Sequence, residues 1–194
     1  MFIGEGPGFN EDQQARPFVG RAGQLLEELL ASIPMRREDV FITNVVKCRP
    51  PENREPAPEE VAACAPFLES QIRLLNPRVI VTLGRHSLAR FFPDSRISND
   101  HGRVLVWRGR VVLPLYHPAA ALRSSSIRAV LEADFRRLPD AVVASLRLAP
   151  GAGAPERASE AGAAANPPLP DRSGTTAHDS RRPTADSRPQ LPLF

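Results

Sequence analysis

The sequence predicts an α/β domain of three layers, in which helices cover both faces of a short, mainly parallel central sheet. Two observations support this fold class. Apolar runs of strand length alternate with runs of helical spacing, and turns of unusual composition directly follow three of the strands. Ligands of such sheets bind at the carboxyl ends of the strands. These features occupy residues 1–140, and we expect residues 141–194, rich in Ala, Pro, Ser and Arg, to form a disordered tail.

The first half of the domain begins with a short apolar strand, Met1–Gly4. A glycine-rich turn leads from it to a helix over Ala22–Ser32, where leucines repeat at helical spacing. A second buried strand covers Val40–Val46. Pro58 and the two glutamates after it are typical of a helix start, and this helix runs toward Leu75 with a break or kink near Pro66.

The second half continues the alternation. A third strand covers Val79–Leu83, and a short helix follows at His86–Phe92. A hairpin around Arg108-Gly109 then precedes the final helix. Its strands are Val104–Trp107 and Val111–Leu115, and the final helix covers Ser126–Leu138.

Composition limits the classes of protein that this chain can belong to. The net charge is only +3 and Lys47 is the single lysine, so charge alone does not indicate a nucleic-acid partner. There is no apolar stretch of about 18 residues and no signal-peptide pattern, which predicts no membrane partner. With two cysteines, we expect a cytoplasmic protein without a disulfide, working beside the nucleoid if its substrate is DNA.

The turn after the first strand is the most informative segment. It reads Gly4-Glu5-Gly6-Pro7-Gly8, so the backbone can approach a ligand closely while a carboxylate supplies the only charge. Neither the Gly-Lys-Ser/Thr of a P-loop nor the G-x-G-x-x-G of a dinucleotide site is present. A nucleotide cofactor is therefore not expected.

Four motifs together resemble the family 4 uracil-DNA glycosylases, the iron–sulfur type of prokaryotes. They are Gly4–Gly8, Arg16–Gly20, Thr43–Pro50 and Tyr116–Ala120, which follow one another in the family's order and spacing. The resemblance covers about residues 1–138. It implies the uracil-DNA glycosylase fold and hydrolysis of the N-glycosidic bond of uracil in DNA by a monomer that flips the base out of the strand.

The resemblance implies a uracil-binding group made of Gly6, Phe18 and Asn44. An aromatic at the position of Phe18 stacks on the extruded base, which replaces the stacking lost in DNA. A carboxamide at the position of Asn44 offers a donor and an acceptor, which match uracil O4 and N3–H and mismatch cytosine. Taken singly, Phe18 is equally compatible with a core aromatic and Asn44 with a turn residue.

The resemblance also implies that Glu5 and His117 face each other across the pocket. His117 is the candidate donor to uracil O2, where negative charge develops as the bond breaks. Glu11 matches a position beside the C5 edge, where a side chain would exclude the methyl group of thymine. Residue types leave open whether Glu5, Glu11 or a backbone carbonyl orients the water. His86 and His101 receive no role.

The loop after the His-Pro motif is a candidate DNA-binding element. In the family it enters the minor groove, so Leu122 would fill the space left by the flipped nucleotide and Arg123 would lie beside it. A serine in the same loop is also suited to cap the following helix.

Cys48 and Cys64 match the second ligand pair of the family's 4Fe–4S cluster. The first pair is a Cys-x-x-Cys that precedes the opening strand in the family, and two thiolates cannot hold the cluster alone. We therefore expect the full-length protein to supply two more ligands. A zinc site that includes histidines and a pair of inert buried thiols are the alternatives.

The last five residues resemble the Gln-Leu-x-Leu-Phe peptide by which bacterial repair proteins bind the DNA sliding clamp. The matching side chains are Gln190, Leu191, Leu193 and Phe194. Two other functions stay open for the whole chain. It could be a non-catalytic DNA- or clamp-binding relative, or a glycosylase for other deaminated bases.

Overall fold

A computed structural model describes residues 1–148, which form a five-stranded sheet with strand order β2-β1-β3-β5-β4. β1 pairs in parallel with β2 and β3, and β3 pairs in parallel with β5. Only the edge strand β4 is antiparallel, joined to β5 through Arg108 and Gly109, both with positive φ. The strands are β1 (Phe2–Gly4), β2 (Ile42–Asn44), β3 (Val79–Leu83), β4 (Leu105–Trp107) and β5 (Arg110–Leu115).

The helices cover both faces of this sheet. Phe2, Val81 and Leu113 face one core, where α2, α7 and α8 contribute buried side chains. Their strand neighbours Ile3 and Ile80 face a second core that includes residues of α3. The three-layer α/β/α class with a mainly parallel sheet is therefore confirmed. The helices are α1 (Phe9–Gln14), α2 (Arg21–Ala31), α3 (Pro58–Leu75), α4 (Arg85–Ala89), α5 (Ile97–Asp100), α6 (Pro118–Ala121), α7 (Ser125–Phe135) and α8 (Leu138–Leu146), with 3₁₀ turns at Arg37–Asp39 and Pro51–Asn53.

Three elements differ from the sequence predictions. α3 runs without interruption through Pro66, and Leu68 and Ile72, which follow the proline, bury their side chains. β2 ends at Asn44, although the Val45 amide still donates to the carbonyl of Gly4 in β1 and the Val46 amide donates to the carbonyl of Glu5, in the turn after β1. α8 carries the ordered chain past the expected boundary at residue 140, to Leu146.

Residues 149–194, which include the terminal peptide at residues 190–194, lie outside the described residues. Within residues 1–148, no helix is long and apolar enough to cross a membrane.

Candidate active site

A pocket of about 490 Å³ lies at the carboxyl ends of the parallel strands. The turn after β1 contributes Glu5 and Gly6 to its lining, and the segment after β5 contributes His117. The segments after β2 and β3 complete it, as the strand-end rule for parallel sheets predicts. Glu5 and His117 thus line one pocket, as the sequence resemblance implied. Further lining residues are Pro50, Asn53, Gly84, His86, Tyr116 and Arg123.

Phe18 and Asn44 lie close together next to this pocket and are each 5% exposed. Both contact the backbone of Gly4, the last residue of β1. A Cβ atom added to Gly4 would lie 2.5 Å from Asn44 Oδ1 and 2.6 Å from the Phe18 ring. Among the described residues Asn44 Oδ1 has no hydrogen-bond partner, although it is buried. A buried acceptor without a donor costs free energy, which a ligand N–H would recover.

The Phe18 ring also stacks on the imidazole of His117, with centroids 5.5 Å apart and an angle of 29° between the planes. The Phe18 ring therefore lies near both Asn44, at the end of β2, and His117, just after β5. The aromatic ring, the carboxamide and the imidazole form one group, carried by segments at the ends of β1, β2 and β5. Their proposed roles stay predictions, but their proximity is a property of the fold.

His117 is held as a neutral imidazole with a defined tautomer. Burial lowers the pKa of His117 from 6.5 to about 4, and the nearby Glu11 carboxylate opposes this only partly. The Ala119 amide donates to Nδ1 at 3.1 Å, so Nδ1 accepts and the proton of the neutral ring resides on Nε2. The site thus contains an N–H donor without a positive charge.

Glu11 supports the turn that carries Phe18. Its Oε1 accepts the amides of Val19 and Gly20 at 2.9 and 2.7 Å. Phe18 adopts a φ of 54°, which is unfavourable for a residue with a side chain. Gly23 of α2 allows this turn to pack closely, because a Cβ there would lie 2.0 Å from the Phe18 carbonyl oxygen. One oxygen of the predicted catalytic carboxylate therefore shapes the loop that carries Phe18.

Sequence reasoning gave no role to two residues that the fold brings to this site. His86 lines the pocket, and its Nε2 lies 3.7 Å from Glu5 Oε2 and 3.6 Å from Glu55 Oε2. Lys47 donates its ammonium to the carbonyl of Asn44 at 2.7 Å and to Gln71 Oε1 at 2.8 Å. Each follows the end of a parallel strand, which is the signal that could have identified them.

The candidate DNA-binding loop lies between α6 and α7. Leu122 is 37% exposed, and Arg123 lines the pocket. Ser124 caps α7 by accepting the Ile127 amide at 3.4 Å. The loop is thus fixed at its end while its apolar tip stays in contact with solvent.

Residues 1–137 match the profile of the uracil DNA glycosylase superfamily. Type-4 uracil-DNA glycosylases are similar over most of their length. The protein of Sulfurisphaera tokodaii is 46% identical over 157 residues, which is 76% of this chain and 71% of the relative. That of Saccharolobus solfataricus is 48% identical over 73% of this chain and 70% of the relative, and that of Thermotoga maritima is 54% identical over 65% and 67%. The chain belongs to the type-4 uracil-DNA glycosylases.

The positions of the two cysteines can be compared with the 4Fe–4S cluster that the sequence resemblance implies. Cys48 is exposed and Cys64 partly buried, and the Lys47 amide donates to Cys64 Sγ at 3.3 Å. The segment after β2 and the first half of α3 thus each carry one cysteine, and the hydrogen bond from Lys47 joins these two segments. Because Cys48 is exposed, the alternative of two buried thiols is wrong.

No group of three or more His, Cys, Asp or Glu side chains suited to a metal ion forms within residues 1–148. A zinc site of both cysteines and the histidines of this region is therefore not assembled. The two thiols fit as half of a four-cysteine set, and the sequence contains no other cysteine.

Proposed function

We propose that this protein is a DNA repair enzyme that hydrolyses the N-glycosidic bond of uracil in DNA, releasing free uracil and leaving an abasic site. Membership of the type-4 uracil-DNA glycosylases supports this activity. The observation that carries it is the proximity of Phe18, Asn44 and His117 to one another beside a pocket at the carboxyl ends of the parallel strands. These side chains supply a stacking surface, a pairing amide and a neutral donor.

Recognition of the base follows from the chemistry of Phe18 and Asn44. A uracil swung out of the strand loses its stacking partners, and the Phe18 ring replaces one of them. The unsatisfied Asn44 Oδ1 accepts from uracil N3–H, and the carboxamide NH₂ donates to O4. Cytosine offers the opposite pair, so it leaves buried groups unpaired at a cost of about 1–3 kcal/mol each.

Cleavage places negative charge on the uracil ring and positive charge on the sugar. His117 Nε2–H donates toward O2 as that charge develops, and a neutral imidazole needs no proton from solvent to do so. Glu5, at the pocket lining, places a carboxylate near the sugar and the attacking water. The Glu11 side chain lies beside the C5 edge of the base. Its Oε1 also holds the loop that carries Phe18 by accepting the amides of Val19 and Gly20.

Replacement of Asn44 by Asp tests this function. Asn44→Asp removes the donor to O4 and adds a charge that repels the uracil anion, so we expect kcat/KM for uracil release from a labelled oligonucleotide to fall about a hundredfold. Asn99→Asp, the same exchange at an exposed residue of α5, should leave it unchanged.

Two results would contradict parts of this proposal. If the wild-type chain releases no uracil, it is a non-catalytic relative. If Asn44→Asp releases uracil at the wild-type rate, Asn44 does not read the base, and another deaminated base becomes the better candidate.

We further propose that Cys48 and Cys64 bind a 4Fe–4S cluster together with two further thiolates, which this sequence, with its two cysteines, does not supply. The support is the hydrogen bond from the Lys47 amide to Cys64 Sγ, which places Cys64 beside the residue that precedes Cys48, and the family to which the chain belongs. Bound there, the cluster would cross-link the end of β2 to α3 and so stabilise the segment that carries Asn44.

The remaining proposals concern partners. We propose that residues 190–194 bind the DNA sliding clamp, and that the enzyme acts as a monomer in the cytoplasm near the nucleoid. The motif at residues 190–194 supports clamp binding, and the proposed DNA substrate supports a location near the nucleoid. Light scattering would check the monomer, and fluorescence microscopy of a tagged chain would check its location.

A further inference from the structure

Phe9 is an aromatic side chain that remains largely in solvent at the edge of the pocket. It is the first residue of α1 and directly follows the pocket-lining Gly8. The Phe9 residue is 57% exposed, and α1 buries none of its side chains. An isolated exposed aromatic is common and needs no function. This one, however, has a cationic partner and a position beside the proposed uracil site.

Arg49 is that partner. Its guanidinium lies 5.2 Å from the centroid of the Phe9 ring, and its Nε donates to Asn53 Oδ1 at 2.8 Å. Pro50, which follows Arg49, and Asn53, which accepts its hydrogen bond, both line the pocket. Two sequence-distant segments, after β1 and after β2, therefore place an aromatic ring and a guanidinium together at the pocket edge.

Arg49 also differs from two other arginines near the pocket. Arg54 and Arg85 form ion pairs with Glu60 and Glu55. Within residues 1–148, Arg49 forms no ion pair with a carboxylate, so its charge is not neutralised in this way. Asp12 places a negative charge in the first turn of α1, which would repel a DNA phosphate. Attraction of Arg49 to phosphate is therefore not sufficient to explain why Phe9 and Arg49 lie together.

We propose that Phe9 and Arg49 form a stacking platform for the nucleobase next to the uracil, and that this platform favours DNA whose neighbouring bases are unpaired. The proposal rests on the proposed function, since it concerns the strand that carries the uracil. Aromatic rings and guanidinium groups bind single-stranded nucleic acid by stacking on the faces of its bases. Arg49 covers part of the ring, and the exposed remainder of Phe9 is free for a base.

Base flipping explains why the neighbour would use this platform. When uracil leaves the strand, the adjacent base loses one stacking partner and gains from a new one. In single-stranded DNA that base can turn toward the protein. In a duplex it stays paired with the opposite strand, so the platform contributes less.

The test compares Phe9→Ala with Phe41→Ala. Phe41 is 41% exposed and precedes β2, at the end of the sheet opposite the pocket, so it controls for loss of an exposed phenyl ring. Phe9→Ala should lower kcat/KM for uracil release from a single-stranded oligonucleotide about tenfold and from a duplex less than about twofold. Phe9→Trp should retain the wild-type rates, and Phe41→Ala should match wild type on both substrates.

A second substrate identifies the neighbouring base as the group that is stacked. It carries tetrahydrofuran residues, which lack a base, on both sides of the deoxyuridine. The wild-type enzyme should act on this strand about tenfold more slowly than on the normal strand, whereas Phe9→Ala should act on both equally. If removal of the neighbours slows both proteins by the same factor, or if Phe9→Ala loses as much activity on the duplex, the proposal is wrong.

Failure of the proposed function would be visible separately. A wild-type protein that releases no uracil from any oligonucleotide contradicts the glycosylase assignment. Fluorescence anisotropy with the same two single strands then still tests the platform. Binding that depends on the neighbouring bases in wild type and not in Phe9→Ala would support it, and equal dependence would overturn it.

Discussion

His117 shows how one residue obtains its chemical state from its surroundings. Its ring stacks on Phe18, and its Nδ1 accepts the Ala119 amide at the start of α6. Burial disfavours the imidazolium, so the pKa of His117 falls from 6.5 to about 4. The same burial that creates a neutral Nε2 donor therefore makes the folded protein sensitive to acid.

This sensitivity predicts a slope of stability with pH. Between pH 6.5 and about 4 the unfolded chain binds a proton at His117 and the folded chain does not, so the free energy of unfolding falls as the pH falls through this window. The loss should approach about 2–3 kcal/mol in the wild type and be absent in His117→Gln. Urea unfolding of both proteins at several pH values measures the difference, and parallel curves would contradict it.

At the level of residues, the sequence predicted which side chains meet better than it predicted how each is held. Phe18, Asn44 and His117 were identified through the motifs that resemble the type-4 family, and taken singly each was also compatible with a structural role. The use of Glu11 Oε1 by the amides of Val19 and Gly20 was not, because the φ of Phe18 and the fold of that loop are not encoded in local spacing. His86 was missed since a single histidine after a strand carries no motif.

At the level of elements, prediction succeeded where apolar periodicity was strong. β3 was predicted to the residue, and α2 to within one residue at each end. α1 was missed because it buries no side chain and so lacks an apolar face. α8 was assigned to the tail because of its proximity to a low-complexity segment, although Leu138, Ala141 and Ser145 are buried and α8 contacts β5. Such burial depends on the tertiary fold, which local composition does not reveal.

The connection between β2 and α3 allows a prediction at the level of elements. If Cys48 and Cys64 bind a cluster, the protein purified from its own host cells should contain about four iron and four sulfide per chain. Cys48→Ser and Cys64→Ser should each remove most of the iron and lower the melting temperature.

The double variant of Cys48 and Cys64 provides the control. A cluster is lost as a unit, so the double variant should be no less stable than either single variant. Additive losses of stability with no iron in the wild type would show two independent thiols and contradict the proposal.

At the level of the whole molecule, the catalytic domain and the terminal peptide are separable in the sequence. The site lies within residues 1–148, and the clamp-like peptide occupies residues 190–194. A peptide joined to a domain by about forty residues raises the local concentration of that domain wherever the peptide binds. The peptide therefore needs no contact with the active site to influence repair.

Deletion of residues 190–194 should consequently separate binding from catalysis. We expect the truncated chain to release uracil from free oligonucleotides at the wild-type rate, because no site residue is removed, and to bind the sliding clamp at least about tenfold more weakly in a surface-binding assay. Deletion of residues 161–165, which removes five tail residues of another composition, should preserve both properties. Equal clamp binding by the two deletions would show that the terminal motif is not the docking peptide, while a loss of uracil release after either deletion would show that the tail supports the catalytic domain directly.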